Sequence, residues 1–438
     1  MEHVALQNNK EDIVAGLKKE NDRLKESIQE LSTLNELSAV ITSTMSLDNI
    51  LNKVVSSSVK AINAEQGTIH LLDKSDEGAD PFKTLIRKAD ETTPQDRFRL
   101  DVELSGWMLA KRQPLLVNDF DSDKRFLNRE AGDLKIKTLL SVPLVCKGKL
   151  VGVLNLFNKK NTSGFSQNDQ RLLTIIASQS AQVIEHARLY EQEKHLLQIE
   201  KELEMAHEIQ SRLLPKESPA VPGFDIAGAS YAAKNVGGDY YDFIELEGGR
   251  WFIVLGDVSG KGIPAALLMS HLQATIRNQA MSDQTLVECI SKSNNFLYLN
   301  TEGNKFVTLF GGILNPARQE FNYINAGHNF PYHLKKDGTL EPLKVGGLIM
   351  GIMPDVPYED GTVKIARDEL VVIYSDGVTE ADNEFDDMFG EERLQELIAK
   401  HHKKSASELV AVIYDAVQQH EGSTDRDDDI TIVVIKAV

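Results

Sequence analysis

One long run of helix-forming residues in the middle of the chain limits the folds that are open to it. A helix begins near Ser166, and a three-and-four spacing of mainly apolar residues continues to Leu213, shortly before Pro215 and Pro219. Proline ends a helix because it lacks the backbone donor. The pattern predicts a helix of about fifty residues, which is far longer than the helices of one globular core. The sequence therefore predicts two folded regions joined by a helical connector.

The connector, residues 186–217, has the spacing of a coiled coil that is poorly optimised for stability. Its seam residues are Leu189, Gln192, Leu196, Ile199, Leu203, Ala206, Gln210 and Leu213. The two glutamines and the alanine weaken such a seam, and a small free-energy change can switch a marginal coiled coil. The connector is therefore either a switchable coiled coil or a passive spacer.

A second seam lies in the leader, residues 1–35. Its residues recur at steps of three and four and are Val14, Leu17, Asn21, Leu24, Ile28 and Leu31. An asparagine within a seam favours a two-stranded register. The leader is predicted to be a helical coiled coil, or else an amphipathic helix that packs on its own domain. The two seams together predict a homodimer.

Composition sets the class of protein and disfavours several partners. The 438 residues are enough for about two or three domains. The net charge of -18 argues against nucleic acid and against an anionic membrane surface. Cys146 and Cys289 lie in separate apolar stretches, so neither a disulfide framework nor a thiolate metal site is expected. The sequence has no recognisable signal peptide and no apolar run of about 18 residues, so we expect a cytoplasmic protein without a membrane span.

Both regions that flank the connector mix strand and helix patterns, so we expect an α/β (α+β) protein. In the first region, residues 36–185, apolar segments such as GTIHLLD and FKTLIRKA predict strands. In the second region, residues 218–438, strand pairs come first, two consecutive helices follow, and more strand pairs come after them. This grouping favours antiparallel sheets with helices on the outside rather than a parallel sheet.

The segment VLGDVSGKGIPAALL, residues 254–268, places an aspartate in a glycine-rich turn between a strand and a helix. It is not a nucleotide-binding phosphate loop, because Gly256 and Gly260 are too close together and glycine follows Lys261. Alone, the segment is typical of a tight turn in which Asp257 is solvated. Its interpretation therefore depends on whether other carboxylates have similar settings.

Other aspartates of the second region also stand at strand ends or beside glycine. They are Asp239 in VGGDYYDF, Asp376 in IYSDGVTEA, and Asp428 and Asp429 in DRDDDITIVV. If these turns meet in space, the carboxylates repel and raise one another's pKa values unless cations bind. An all-oxygen site suits Mg²⁺ or Mn²⁺, and two such ions can activate water for attack on phosphorus. The alternative is a set of unrelated solvated turns, and spacing alone does not decide between the two.

Six segments of the second region carry a family resemblance in their order along the chain. They are VGGDYYDF, GDVSGKGIPAALLMS, FVTLFGGIL, INAGHNFPY, YSDGVTEA and DDDITIVV. They resemble the bacterial metal-dependent Ser/Thr protein phosphatases of the sporulation stage II protein E type, within the PPM or protein phosphatase 2C superfamily. AHEIQSRLLP is similar to the entry helix of that branch. The resemblance implies an αββα sandwich of two antiparallel sheets flanked by helices, with two Mn²⁺ or Mg²⁺ ions between the sheets.

The resemblance also implies the ligands of the first ion. Asp257 would bridge both ions, and the Val258 carbonyl would help directly or through water. Asp239 would bind one ion, and it is a better match to the family motif than Asp242.

By the same resemblance, Asp376 and Asp428 would hold the second ion, and Asp429 stands where an Asn or Asp commonly supports the site. The predicted catalytic acids are Asp239, Asp257, Asp376 and Asp428. His328 belongs to a structural or substrate-side motif, and His271 is interpreted as a helix-packing residue. No residue is assigned as the general acid.

The first region resembles a GAF sensory domain through SVPLVCKGKLVGVLNLFNKK and FSQNDQRLLTIIASQSAQVIEHARLY. Asn158, Lys159, Phe165 and Asp169 resemble a motif of cyclic-nucleotide-binding GAF domains, but Gln170 stands where Glu is expected. Many GAF domains share parts of this motif without binding nucleotides. The resemblance therefore implies a sensory domain with an unknown small ligand.

Two functions from different classes remain open. The first is a signal-regulated, Mn²⁺- or Mg²⁺-dependent phosphatase that removes phosphate from serine or threonine of a regulatory protein, by family analogy an anti-sigma factor antagonist. The second is a non-catalytic signalling scaffold whose C-terminal domain binds a phosphoprotein or a metal ion. The complete set of acids favours the phosphatase. A nucleotidyl cyclase is disfavoured, since no base-recognition or pyrophosphate-binding residues are recognisable.

Overall fold

The computed structural model forms two units, Met1–Leu197 and Gln198–Val438. The residues that it describes are 16–18, 20–21, 46–72, 82–88, 107–108, 110–119, 122–123, 136–161, 163–301, 305–424 and 426–438. Most of the predicted leader coiled coil, residues 1–35, lies outside these ranges.

The first unit contains one antiparallel sheet with helices on one face. Its elements are α1 (Leu47–Ile62), β1 (Ala64–Leu72), β2 (Phe82–Lys88), β3 (Leu115–Val117), β4 (Leu139–Cys146), β5 (Lys149–Lys159) and the first part of α2 (Gln167–Ser211). The strand order is β2-β1-β5-β4-β3. One sheet face, which includes Ile69 and Leu154, packs with α1 and α2 in a common core. Lys147 and Gly148 both have positive φ, as a two-residue hairpin between β4 and β5 requires.

The long connector helix is confirmed as α2, which has 45 residues. The predicted cap at its start is also present, since Ser166 N donates to Asp169 Oδ2 (2.8 Å) and Asp169 N donates to Ser166 Oγ (3.2 Å). Exposed apolar side chains along α2 include Leu189, Leu196, Met205 and Ile209. Pairing of α2 with a second copy stays a prediction. Neither α2 nor any other helix in the described part of the chain is apolar enough over a sufficient length to cross a bilayer.

The second unit follows the end of α2. Its elements are β6 (Phe224–Tyr231), β7 (Tyr240–Leu246), β8 (Arg250–Val258), α3 (Ile263–Ala280), α4 (Leu286–Asn300), β9 (Val307–Asn315), β10 (Glu320–Ala326), β11 (Tyr332–Leu334), β12 (Leu340–Pro342), β13 (Gly346–Gly347), β14 (Gly361–Lys364), β15 (Leu370–Tyr374), α5 (Asp376–Thr379), α6 (Gly390–His401), α7 (Ala406–Glu421) and β16 (Ile430–Ala437).

Two sheets lie face to face in the second unit, and helices cover their outer faces. The first sheet has the order β13-β10-β9-β8-β7, with β14 also on β10, and the second has the order β12-β11-β15-β16-β6. An apolar core between the sheets includes Phe310, Phe321 and Val433. Helices α3 and α4 pack on the first sheet, and α6 and α7 pack on the second. The predicted αββα sandwich is confirmed.

The strands of both sheets pair antiparallel as predicted, except at one edge of the first sheet. Strand β13 pairs parallel with β10, where Asn325 lies opposite Gly346. A Cβ added at Gly346 would lie 1.8 Å from the Asn325 carbonyl oxygen, so this close approach requires glycine. The sequence does not predict this two-residue strand. It is too short to show an alternation of apolar and polar residues, and only its pairing with β10 defines it.

Candidate active site

The acids identified in the sequence lie at strand ends of both sheets. Asp257 is near the end of β8, Asp239 directly precedes β7, and Asp376 opens α5 directly after β15. Asp428 and Asp429 directly precede β16. The start of β7 pairs with the end of β8, and the end of β15 pairs with the start of β16. Each sheet therefore gathers its own acids at one end of a strand pair.

The two groups of acids lie close enough for their charges to raise one another's pKa values. Burial, followed by the charges of Asp376, Asp428 and Asp429, raises the pKa of Asp257 to about 7. Burial also raises the pKa of Asp239 well above its ordinary value, with added contributions from Asp257 and Asp429. The second unit thus places every predicted acid in one cluster.

The mouth of this cluster carries a lysine. Burial, followed by the charge of Asp428, raises the pKa of Asp376 to about 6, and Lys261 acts in the opposite direction. The Lys261 Nζ lies 3.4 Å from Asp428 Oδ2 and donates to the Asp427 carbonyl at 2.6 Å. Asp428 is partly exposed, whereas Asp239 is buried. The cluster is therefore open on the side of Asp428 and Lys261.

Asp429 fixes the turn that carries Asp239. Its carboxylate accepts hydrogen bonds from Ala233 N (2.8 Å), Gly238 N (2.6 Å) and Asp239 N (3.3 Å). A Cβ at Gly237 would lie 2.3 Å from Asp429 Oδ2, so glycine permits the contact. In this arrangement Asp429 supports the site through the backbone of its neighbour.

The Val258 carbonyl and a threonine border the same turn. A Cβ added at Gly238 would lie 2.9 Å from Val258 O, which places this carbonyl beside the Asp239 turn. Thr431 Oγ1 donates to Asp239 Oδ2 at 2.5 Å. Thr431 fixes the carboxylate of Asp239, and its only signal in the sequence is its place two residues after Asp429.

Asp242, the second acid of VGGDYYDF, has a different role. It is fully buried and accepts two hydrogen bonds from Arg277, at 2.6 and 2.8 Å, and one from the Tyr240 hydroxyl at 2.8 Å. This ion pair joins β7 to α3. Removing one partner would leave a buried charge without compensation, so Asp242 is a structural residue.

The chemistry of the donors fits a hard divalent cation. The cluster offers aspartate oxygens and one backbone carbonyl, which are the ligands that Mg²⁺ and Mn²⁺ prefer. Thr431 bonds to Asp239 and Lys261 lies beside Asp428. Within the described ranges, no group of three or more His, Cys, Asp or Glu side chains is already arranged to hold a metal ion.

Comparison with known proteins matches the two regions to separate families. Residues 247–438 match Stage II sporulation protein E (SpoIIE), and residues 44–185 match the GAF domain. Phosphoserine phosphatase RsbU of Bacillus subtilis (strain 168) is 32% identical over 240 residues, which cover 55% of this chain and 71% of RsbU. The chain belongs to the SpoIIE family of PP2C-type phosphatases.

Two further comparisons set the limits of this likeness. Phosphoserine phosphatase RsbP of Bacillus subtilis (strain 168) is 23% identical over 244 residues, which cover 55% of this chain and 58% of RsbP. The solved SiaA-PP2C domain of Pseudomonas aeruginosa is 19% identical, with a TM-score of 0.50 over 55% of this chain and 98% of that domain. The structural likeness shows that the SpoIIE-family protein has the PP2C fold. The chain spans less than two thirds of RsbP.

A glutamine of the connector helix also fixes the Asp239 turn in this SpoIIE-family protein. Gln210 is buried near the end of α2. Its Nε2 donates to Gly237 O at 2.7 Å, and Gly237 N donates to its Oε1 at 3.0 Å. One turn earlier, His207 Nδ1 lies 2.6 Å from the Asn235 carbonyl oxygen. The spacing predicts Gln210 as a coiled-coil seam residue. In the structure, its side chain instead hydrogen-bonds to Gly237 of the same unit, and its polarity is the feature of the sequence that is consistent with this role.

We expect Gln210→Ala to lower turnover about tenfold, because it leaves the N–H and C=O of Gly237 without partners beside Asp239. Steady-state hydrolysis of p-nitrophenyl phosphate measures this loss. The matched control is Gln198→Ala, at an exposed glutamine of the same helix that bonds to Glu202. If both variants have wild-type kinetics, the Asp239 turn does not depend on Gln210.

The two histidines considered in the sequence are internal. His328 is buried, its Nδ1 lies 2.8 Å from Thr308 Oγ1, and burial lowers its pKa to about 4. It is therefore neutral near pH 7. His271 packs on the ring of Phe296 at 5.0 Å between centroids. Neither contact indicates a proton donor to a leaving group.

The motif residues of the GAF domain bind other residues of the same domain. Lys159 Nζ lies 2.7 Å from Asp169 Oδ1, which joins the end of β5 to the first turn of α2. Asn158 Oδ1 accepts from Lys137 N at 2.8 Å. Phe165 is in the core. These contacts give the motif a structural role, and they identify no ligand.

Proposed function

We propose that this chain is a signal-regulated, Mn²⁺- or Mg²⁺-dependent phosphatase of phosphoserine and phosphothreonine on a regulatory protein. The observation that supports it is the meeting of Asp239, Asp257 and Asp376 from strand ends of both sheets, where their pKa values rise. Buried carboxylates that repel one another are costly unless cations neutralise them. PP2C-family phosphatases generally use these ions.

The ions that we propose would be held by the carboxylates of Asp239, Asp257, Asp376 and Asp428. Ions bound there would supply charge stabilisation for the phosphoryl group and an activated water. Asp429 orients the turn of Asp239 by accepting its backbone N–H groups. The carboxylates themselves carry the charge that recruits the cations.

Lys261 would attract the substrate phosphate at the open side of the cluster. A phosphate monoester is doubly negative near neutral pH and would otherwise be repelled by the aspartates. The Lys261 ammonium is held next to Asp428 by its bond to the Asp427 carbonyl. It can therefore offset repulsion where the phosphate enters.

The substrate we propose is a serine-phosphorylated anti-sigma factor antagonist. Two relatives are named phosphoserine phosphatases, which supports phosphoserine as the residue that is dephosphorylated. The GAF domain would receive an unidentified small ligand and act through α2, with two chains paired along the connector as a homodimer. Gln210 supports this route, since the helix that would pair also bonds to the Asp239 turn.

The test is release of inorganic phosphate from a serine-phosphorylated antagonist by the full chain, with and without Mn²⁺. We expect multiple turnovers with Mn²⁺ or Mg²⁺ and none in excess chelator. Binding of the phosphoprotein without any phosphate release at saturating metal would instead support the non-catalytic scaffold. Sedimentation at micromolar concentration tests the dimer, which a monomer would contradict.

A further inference from the structure

The loop between α5 and α6 presents an exposed aromatic side chain among carboxylates. This Phe385 loop comprises residues 382–388. Phe385 is 80% exposed and Met388 is 54% exposed. The exposed carboxylates beside them belong to Glu384, Asp386 and Asp387. The tip thus combines two apolar side chains with three carboxylates, of which only that of Asp387 is paired with a cation, Arg393.

Hydrogen bonds hold the Phe385 loop in a defined turn. The backbone N–H groups of Phe385 and Asp387 donate to Asn383 Oδ1 at 2.9 and 3.1 Å. Arg393 Nη2 pairs with Asp387 Oδ2 at 3.0 Å, and Phe389 N donates to the Ala381 carbonyl at 2.9 Å. A preorganised aromatic side chain loses little conformational entropy when a partner covers it.

Isolated exposed apolar residues are ordinary on protein surfaces. Phe385 differs because its turn is fixed at several points and its apolar neighbour Met388 shares the tip. The three carboxylates also restrict what can cover it, since an apolar partner surface with acidic groups would be repelled. A surface with a small apolar pocket rimmed by Lys or Arg has the complementary shape and charge.

We propose that the Phe385 loop is a docking site for the phosphoprotein substrate, which would receive Phe385 in an apolar pocket with a basic rim. The proposal rests on the phosphatase function proposed above. Asp376 and Phe385 are nine positions apart in the chain, so they lie within about 30 Å of one another. A standard interface of about 800 Å² per partner is also about 30 Å across. A folded protein with its phosphoserine at the acid cluster is therefore large enough to span the distance to the loop.

Kinetics on two substrates test the docking site. Phe385→Ala should raise KM for a serine-phosphorylated anti-sigma factor antagonist about tenfold and leave kcat unchanged, because the lost contact is the same in the ground and transition states. It should leave hydrolysis of p-nitrophenyl phosphate at the wild-type rate. Met281→Ala, at another highly exposed apolar residue of the unit, is the control and should change neither substrate.

A charge variant tests the second part of the proposal. Glu384→Gln combined with Asp386→Asn removes two carboxylates while it keeps Asn383 and the Asp387–Arg393 pair. We expect a higher KM for the phosphoprotein and a weaker dependence of that KM on salt. Unchanged KM in both variants overturns the docking site while an active wild type upholds the phosphatase. Equal losses on both substrates also overturn docking, and an altered sedimentation coefficient would assign the loop to self-association instead.

Discussion

Asp257→Asn is expected to reduce metal-dependent turnover about a thousandfold or more. The charges of Asp376, Asp428 and Asp429, which belong to the second sheet, contribute to the raised pKa of Asp257, so Asp257 lies close to them. Asparagine has nearly the same shape but no charge. A site that relies on cations for several kcal/mol of transition-state stabilisation loses about this factor when its shared ligand no longer attracts them.

Release of p-nitrophenol from its phosphate ester, as a function of Mn²⁺ concentration, measures this effect. Asp376→Asn should behave in the same way. Asp283→Asn, at an exposed acid outside the cluster, is the control and should be fully active. A cooperative melting transition in the variant shows that the loss is not due to unfolding. Normal turnover in Asp257→Asn would remove the proposed mechanism.

The sequence predicted those parts of the fold that local pattern determines. Strands such as Phe224–Tyr231 and Ile430–Ala437 are apolar runs bounded by polar or turn residues, and the structure contains both. Glycine beside Asp257 and Asp376 also marked the turns that form the cluster. Sheet order and the meeting of the two sheets are tertiary properties, and the resemblance rather than periodicity supplied them.

The spacing of residues along a helix could not predict which surface each face of that helix contacts. Leu203, Ala206 and Gln210 fit a seam, yet Gln210 is buried against Gly237 within its own unit. A spacing of three and four identifies residues on one face of a helix but not the surface that they contact. The role of Thr431 and the parallel pairing of Gly346 were not predicted for a related reason, because both depend on contacts between residues that are distant in the sequence.

Without metal ions, the protein is expected to lose stability as the pH rises from about 4 to about 8. The pKa of Asp257 is about 7 and that of Asp376 about 6 in the folded chain, against an ordinary value of 3.8. The folded state therefore holds these protons more tightly than the unfolded state does. Their stabilising effect is fully present below pH 3.8 and is lost as the pH rises through about 6 and 7.

Asp257→Asn isolates this effect, because asparagine does not titrate. At 1.36 kcal/mol per pKa unit, the rise of about three units for Asp257 corresponds to about 4 kcal/mol. In chelator, the melting transition of the second unit should be nearly equal in wild type and variant at pH 4 and clearly higher in the variant at pH 8. Mn²⁺ at pH 8 should stabilise the wild type, since it binds the folded state, but not the variant. A difference between the proteins that stays constant with pH would show that Asp257 is an ordinary exposed acid and that no cation is needed to hold the cluster together.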